Sequence, residues 1–342
     1  MLKKIILLFV STSMIFCFSS CKAAEQKKIS MRNSFFAFDT NCSISVQNYE
    51  DEERVNSYLR QMQMLSETYD KTLSRTVVGS DIYEINHRTS LDVMVTDMTM
   101  TLFEVAQGMY EWSNHKFDIS VGDLIELWDV KNRTTLPTNE EIQKALSTCN
   151  AMNYRIEKDV DPEYIKSHRI VFKNLSSKYD LGALVKGYIT DMMIGQMEEY
   201  GIKSAIINLG GNVYCYGTKE NEAPFLVGIE KPFKQDEVIV SEKVINKAVM
   251  TSGVYQRYFK IEGSDRVYSH IIDNETGEPV NNNLYSVSIK SKNALLGDYL
   301  STACLLLGID DSKQLIDFCK KTFGDDEIEA IFVDDKYNIV RY

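Results

Sequence analysis

Three stretches of this 342-residue chain carry side chains suited to chemistry on a phosphate. In Tyr268-Ser269-His270-Ile271-Ile272-Asp273-Asn274-Glu275-Thr276-Gly277 a single histidine stands on a β-rich run, followed by an acid and a Thr-Gly turn. A titratable base beside hydroxyls and backbone amides is the equipment of a phosphate-handling site. Thr251-Ser252-Gly253 offers more hydroxyls and amides at a strand end. Downstream, Asp298 and Thr302 lie four residues apart in the apolar run from Ala294 to Gly308, and on a helix they share one face. An acid in so apolar a run is costly to desolvate unless a cation or donors neutralise it. Two oxygen ligands suit a hard cation such as Mg2+. The alternative is that Asp298 caps a helix or bonds to a neighbouring loop.

Other candidates are weaker singly. Asp180-Leu181-Gly182-Ala183-Leu184-Val185-Lys186-Gly187 stands where a strand gives way to a helix, which puts Lys186 in the first helical turn. A cation there opposes the helix dipole, and it makes sense if an anion such as a pyrophosphate lies between it and the free amides; otherwise it is a solvated surface lysine. Gly210-Gly211, after an apolar strand, permits a tight turn or close approach of a ligand. Phe117 and Asp118 set an aromatic face beside an acid, for holding a heteroaromatic ring or, for Phe117, for core packing.

The elements that must position these groups are read from periodicity. Phe35 to Val46 reads as a strand and Glu52 to Leu73 as an amphipathic helix with Val55, Tyr58, Leu59, Met62, Leu65 and Tyr69 inward. Helices are predicted over 96–112, 138–149, 182–200, 294–307 and 312–323. Strands are predicted near 169–172, 178–181, 204–209, 225–229, 238–240, 248–251, 254–261, 267–272, 328–333 and 339–341. With no long linker, repeat or low-complexity segment, this implies one α+β domain with mixed or antiparallel sheets and packed helices, over residues 31–342.

Hydrophobic residues are 44% of the chain and charged residues 25%, ordinary for a globular protein, and the net charge is -11. No cluster of Lys and Arg is present, which argues against a nucleic-acid partner. An acidic chain binds an anionic ligand locally, through a few cations, helix N-termini or a metal.

Lys3-Lys4, the apolar run Ile5 to Phe18 and Ser19-Ser20-Cys21 form a segment too short for a comfortable membrane span, which needs about 20 apolar residues. They read as a signal peptide over residues 1–20. Small residues before a cysteine are similar to a bacterial lipoprotein processing site, which makes Cys21 the lipidated N-terminus and residues 21–30 a tether. Ordinary secretion with cleavage near Ala23-Ala24 is the alternative. The remaining cysteines, Cys42, Cys149, Cys215, Cys304 and Cys319, lack metal-ligand spacing and read as mostly structural.

Taken in order, Phe38-Asp39-Thr40-Asn41-Cys42, Leu73-Ser74-Arg75 through Ser80 and Asn86, Phe117-Asp118 with Val121-Gly122, Asp180 to Gly187, Leu209-Gly210-Gly211, Thr251-Ser252-Gly253, Ser269 to Gly277 and Asp298 to Thr302 resemble the ApbE family of FAD:protein FMN transferases. The resemblance covers nearly the whole chain after the signal. It implies a Mg2+-dependent enzyme of the bacterial cell envelope, membrane-anchored by lipid, that moves FMN from FAD to a Thr or Ser hydroxyl of a partner flavoprotein and releases AMP. Some relatives instead act as FAD pyrophosphatases, yielding FMN and AMP, and a non-catalytic flavin-binding lipoprotein would share several of the same features. By resemblance, Asp298, Ser301 and Thr302 hold the metal with the backbone oxygen of Ala183. Phe38, Lys116, Phe117, Asp118, Asp180, Lys186 and Ile272 contact FAD, and His270 is the base. Arg75 belongs to the FAD-binding set, on a loop that influences whether FAD is held or hydrolysed. The chain departs from the family in Phe38-Asp39-Thr40 for Met-Gly-Thr, in Ala183 for a glycine and in Asp273-Asn274 for Asp-Pro.

The N-terminal reading predicts that mass spectrometry of protein from the native host finds diacylglyceryl-Cys21 as the mature N-terminus; an unmodified N-terminus beyond residue 21 contradicts it.

Overall fold

In the computed structural model, which describes residues 29–49, 51–161 and 163–342, the longest helix is Glu52–Leu73, and its causes are local. Asp51 accepts a hydrogen bond from Arg54 N at 3.0 Å, Glu52 and Glu53 fill the first turn, and Val55, Tyr58, Leu59, Met62, Ser66, Tyr69 and Leu73 form the buried stripe. The expected signal peptide, Cys21 and nearly all of the tether lie outside the described residues. Among those described, no helix is long and apolar enough to cross a membrane.

The scaffold is an eight-stranded antiparallel sheet whose strands lie side by side in chain order. They are Ile29–Ala37, Thr40–Tyr49, Ser204–Leu209, Asn212–Gly217, Lys247–Gly253, Leu284–Ser291, Glu329–Asp334 and Ile339–Arg341. It is a meander with insertions at its longer connections. Between Tyr49 and Ser204 run most of the helices and a three-stranded sheet of Asp92–Val95, Tyr154–Glu157 and His168–Phe172. Between Gly217 and Lys247 a hairpin, Phe225–Glu230 with Val238–Val244, leaves the sheet and packs Phe225, Ile229 and Val244 over Cys215, Val249 and Ile331. Helices Glu52–Leu73, Val185–Met197 and Ala294–Leu307 share the main core with the sheet. The α+β class is as expected.

Several expected elements change. The stretch from Phe35 to Val46 is two strands joined at Phe38-Asp39, whose φ values of 54° and 59° form the tight turn a two-residue hairpin needs. Neither residue is a glycine, so the turn resists recognition. Leu284–Ser291, a central strand, had no counterpart among the expected elements; nor had Asn212–Gly217. Lys178 to Leu181 contributes only an isolated parallel bridge between Val121 and Lys178. The strands expected over 254–261 and 267–272 shrink to Tyr258–Phe259 paired with Tyr268–Ser269, so His270 stands just past a strand rather than within one. The five cysteines are free, and burial pushes their thiols up, Cys42 to about 11 and the others to about 12, in keeping with inert residues.

One close approach fixes the helix layer. A Cβ on Gly187 would fall 2.5 Å from the Ala294 carbonyl oxygen and 2.7 Å from Leu295 Cα. Both are backbone atoms that cannot swing away. Gly187→Ala is therefore expected to lower stability by about 1–3 kcal/mol by overpacking, read by urea unfolding; an unchanged midpoint would show that the two helices are free to separate.

Candidate active site

At one end of the sheet the Phe38-Asp39 and Gly210-Gly211 turns, the end of the Lys247–Gly253 strand and the start of the Val185–Met197 helix surround a cleft of 840 Å³. Phe38, Arg75, Lys116, Phe117, Asp118, Asp180, Ala183, Lys186, His270, Ile272, Asp298 and Thr302 all line it. Ser301 does not; it is fully buried behind the wall.

Asp298 is 2% exposed and does not cap its helix. That work falls to Asn293, which accepts from Leu296 N at 2.7 Å, and to Asp191 on the neighbouring helix, which accepts from Ala294 N and Leu295 N. Asp298 instead accepts from Gly187 N at 2.9 Å and from Asn212 Nδ2 at 2.8 Å. Asn212 is in turn fixed by Thr251 N, which donates to its Oδ1 at 3.0 Å. Burial raises the Asp298 pKa, and the positive charge of Lys186 is the first influence opposing it. Ser252 Oγ lies 2.8 Å from both Ser301 Oγ and Thr302 Oγ1, and Ser301 donates back to the Asp298 carbonyl at 2.9 Å. The side-chain atoms of Asp298, Ser301 and Thr302 that could ligate a metal are thus all oxygen, with one carboxylate, each of whose oxygens already accepts one N–H from Gly187 or Asn212. Among the described residues no three acid, His or Cys side chains gather as a metal cage.

Lys186 follows the first residue of a helix that starts without a side-chain cap. It makes no ion pair among the described residues; its Nζ reaches only the Gly182 carbonyl, at 3.4 Å. Its charge is free for an anion. Lys116 differs, since its ammonium already meets Glu275 at 2.5 Å and Asp273 at 3.3 Å. It ties the loop before Phe117 to the 273–277 turn instead of facing the cleft as an open charge. Arg75 and Asp180 are also paired with each other, at 3.3 Å, and Asp180 accepts from Gly182 N at 2.7 Å. Phe117 is buried edge-on against Tyr299, ring centres 5.0 Å apart, and Asp118 accepts from Ser120 N at 2.7 Å.

His270 Nδ1 lies 3.3 Å from the Arg257 carbonyl oxygen. A carbonyl only accepts, so Nδ1 carries the proton and Nε2 keeps a lone pair. His270 is partly buried in the cleft wall, and desolvation there, then the charge of Arg257, lowers its pKa to about 4. The imidazole is neutral at pH 7, the state a general base requires.

Three contributors escaped the sequence reading. Asn212 anchors Asp298, Arg257 sits beside His270 and contacts the Phe38 carbonyl, and Lys131 pairs with Asp39 across the cleft mouth. Asn212 left a trace, as a polar residue opening an apolar strand directly after the glycine pair; the two cations left none.

Residues 38–332 match the ApbE family. The chain is 27% identical over 279 residues to a FAD:protein FMN transferase of Klebsiella pneumoniae, covering 81% of this chain and 82% of the relative. It is 27% identical over 290 residues to one of Treponema pallidum, covering 81% and 78%. The crystal structure of an ApbE protein from Thermotoga maritima superposes with a TM-score of 0.79 at 27% identity, over 92% of this chain and 97% of that one. The flavin transferase ApbE of Vibrio cholerae, at 21% identity, shares the fold with a TM-score of 0.75 over 92% and 96%. With a match that spans most of the sheet, the cleft and the helices around it, this chain belongs to the ApbE family.

Proposed function

We propose that this chain is a Mg2+-dependent FAD:protein FMN transferase, held at the bacterial cell envelope by a lipid on Cys21, that attaches FMN to a Thr or Ser of a partner flavoprotein. The observation that carries the reading is one cleft holding a neutral imidazole with a free Nε2, a lysine at a helix N-terminus with no ion pair among the described residues, and a buried acid among hydroxyls. A protein that only captured flavin would need neither the base nor the acid.

The residues divide the work by their chemistry. Lys186 and the uncapped helix start attract the pyrophosphate. Phe38, Phe117 and Ile272 give the cleft apolar surface for the flavin ring. The incoming hydroxyl loses its proton to His270 Nε2 as its oxygen bonds to the flavin-side phosphorus. The bond from that phosphorus to the bridging oxygen breaks, and the bridging oxygen departs with AMP. The donor set around Asp298 fits Mg2+, which accepts one or two carboxylates when substrate phosphates and water complete its shell. Asp298, Thr302, Ser301 and the Ala183 carbonyl would hold it, with Ser301 acting through Ser252 and the local backbone unless its side chain turns. When bound, the ion neutralises charge on the phosphate oxygens.

His270→Asn is expected to keep the fold and most FAD binding while AMP release falls by about 10²–10⁴-fold. A base must be unprotonated, so wild-type kcat/KM falls as pH drops through the His270 pKa of the free enzyme. That acid limb should lie near 4, well below the ordinary imidazole value of about 6.5. Near-wild-type turnover in folded His270→Asn, with a Thr-bearing acceptor and with FAD alone, would remove the base from the mechanism.

A further inference from the structure

The cleft has a second arm. Beyond the residues expected to contact FAD, its lining continues through Val213, Val249 and Thr251 of the main sheet to Val227, Gly228, Ile229 and Glu230 of the hairpin. Those last four are consecutive. Along the Phe225–Glu230 strand side chains alternate, with Phe225 and Ile229 buried against the main sheet and Leu226, Gly228 and Glu230 exposed. A cavity against either face would meet every second residue; one that meets four in succession meets the strand's edge.

That edge is open. The strand pairs with Val238–Val244 on one side, and among the described residues with nothing on the other. An unpaired edge presents backbone N–H and C=O groups as a template for another extended chain. Gly228 stands mid-strand and exposed, and a Cβ there would meet the Val238 side chain of its hairpin partner at 2.9 Å, so this glycine serves the hairpin's own packing and leaves the opposite edge uncovered. Across the arm, the position where Gly211 would carry a Cβ has no atom within 4 Å. Val213, partly buried beside the Val249 that the hairpin covers, supplies apolar surface along the arm.

We propose that this arm binds the hydroxyl-bearing segment of the acceptor protein as an added antiparallel or parallel strand on the Phe225–Glu230 edge, an inference that rests on the transferase reading above. Main-chain hydrogen bonds supply the affinity, and the apolar surface of Val213 favours an apolar side chain on the segment's inward face. The cleft is continuous from this edge to His270 and Thr302, so a threonine at the inner end of the bound segment meets the base and the FAD phosphate. The acceptor's target must then be a stretch that is extended or free to extend; a threonine fixed within a helix does not fit.

The test uses the acceptor protein isolated from the native host by its covalent flavin. Covalent flavin is read by fluorescence in denaturing gels and FAD affinity by titration, for wild type, Val227→Arg and Val213→Arg, both at partly buried positions that line the arm. Both variants should raise the KM for the acceptor about tenfold or more while FAD affinity stays at the wild-type value. A short synthetic peptide spanning the flavinylated threonine, N-methylated at one position at a time, should lose transfer at alternate positions only. Wild-type acceptor kinetics in both variants, or N-methyl effects without a two-residue period, would overturn the edge-binding proposal while leaving the transferase reading intact. Weaker FAD binding in the variants would also overturn it, by assigning the arm to FAD. If the wild-type enzyme attaches no flavin to any protein, the transferase reading itself falls and this inference with it.

Discussion

The buried carboxylate of Asp298 is the constraint on which the site depends. It joins three elements that are distant in sequence: its own helix, the helix start at Gly187 and the strand start at Asn212. A charged group so enclosed is stable only with donors on both oxygens, and it has them. Gly187 can donate only because it lacks a Cβ, whose place lies 2.8 Å from Asp298 Cβ. The same contact brings Lys186, one residue earlier, to the mouth of the cleft. Helix packing and the placement of Lys186 are one arrangement, and a change that separates the helices also removes the acid's partners.

The opposite wall rests on backbone turns. Phe38 and Asp39 both take positive φ, which non-glycine residues adopt at a cost of order 1–3 kcal/mol each. Asp39 is held there by Lys131 and Arg257. Arg257 connects this turn to His270, since its side chain meets the turn and its carbonyl orients the imidazole. A cation beside an enclosed imidazole keeps that imidazole neutral. On the proposed transferase reading, the dianionic pyrophosphate of FAD would push the other way on arrival, raising the proton affinity of His270 as substrate enters.

The motifs that meet at the cleft were legible because each is short-range: glycines at a strand end, a lysine at a helix start, an acid four residues from a hydroxyl. Their partners were not. Asn212 lies 86 residues from Asp298, and nothing in an apolar strand announces which carboxylate it will meet. The sheet was harder where its chemistry breaks alternation. In Leu284–Ser291 the serines at 286, 288 and 291 are buried along with Val287 and Ile289, so no two-residue period survives. Ser288 is paid for by Thr251, 2.7 Å away. The Phe38-Asp39 turn was hidden for the opposite reason, an apolar residue where hairpins favour Asn or Gly. The class and most helices followed from periodicity; the strand boundaries and long-range polar pairs needed the fold.

The most direct measurement of this account is a Mg2+ titration of AMP release from FAD by wild type and by Asp298→Asn, with circular dichroism confirming that both are folded. Asparagine keeps the volume and removes the charge. The account predicts a saturable Mg2+ requirement in the wild type that is lost or displaced to far higher Mg2+ in the variant. The same Mg2+ curve in both proteins would contradict it, leaving the buried carboxylate as a packing device with no part in the chemistry.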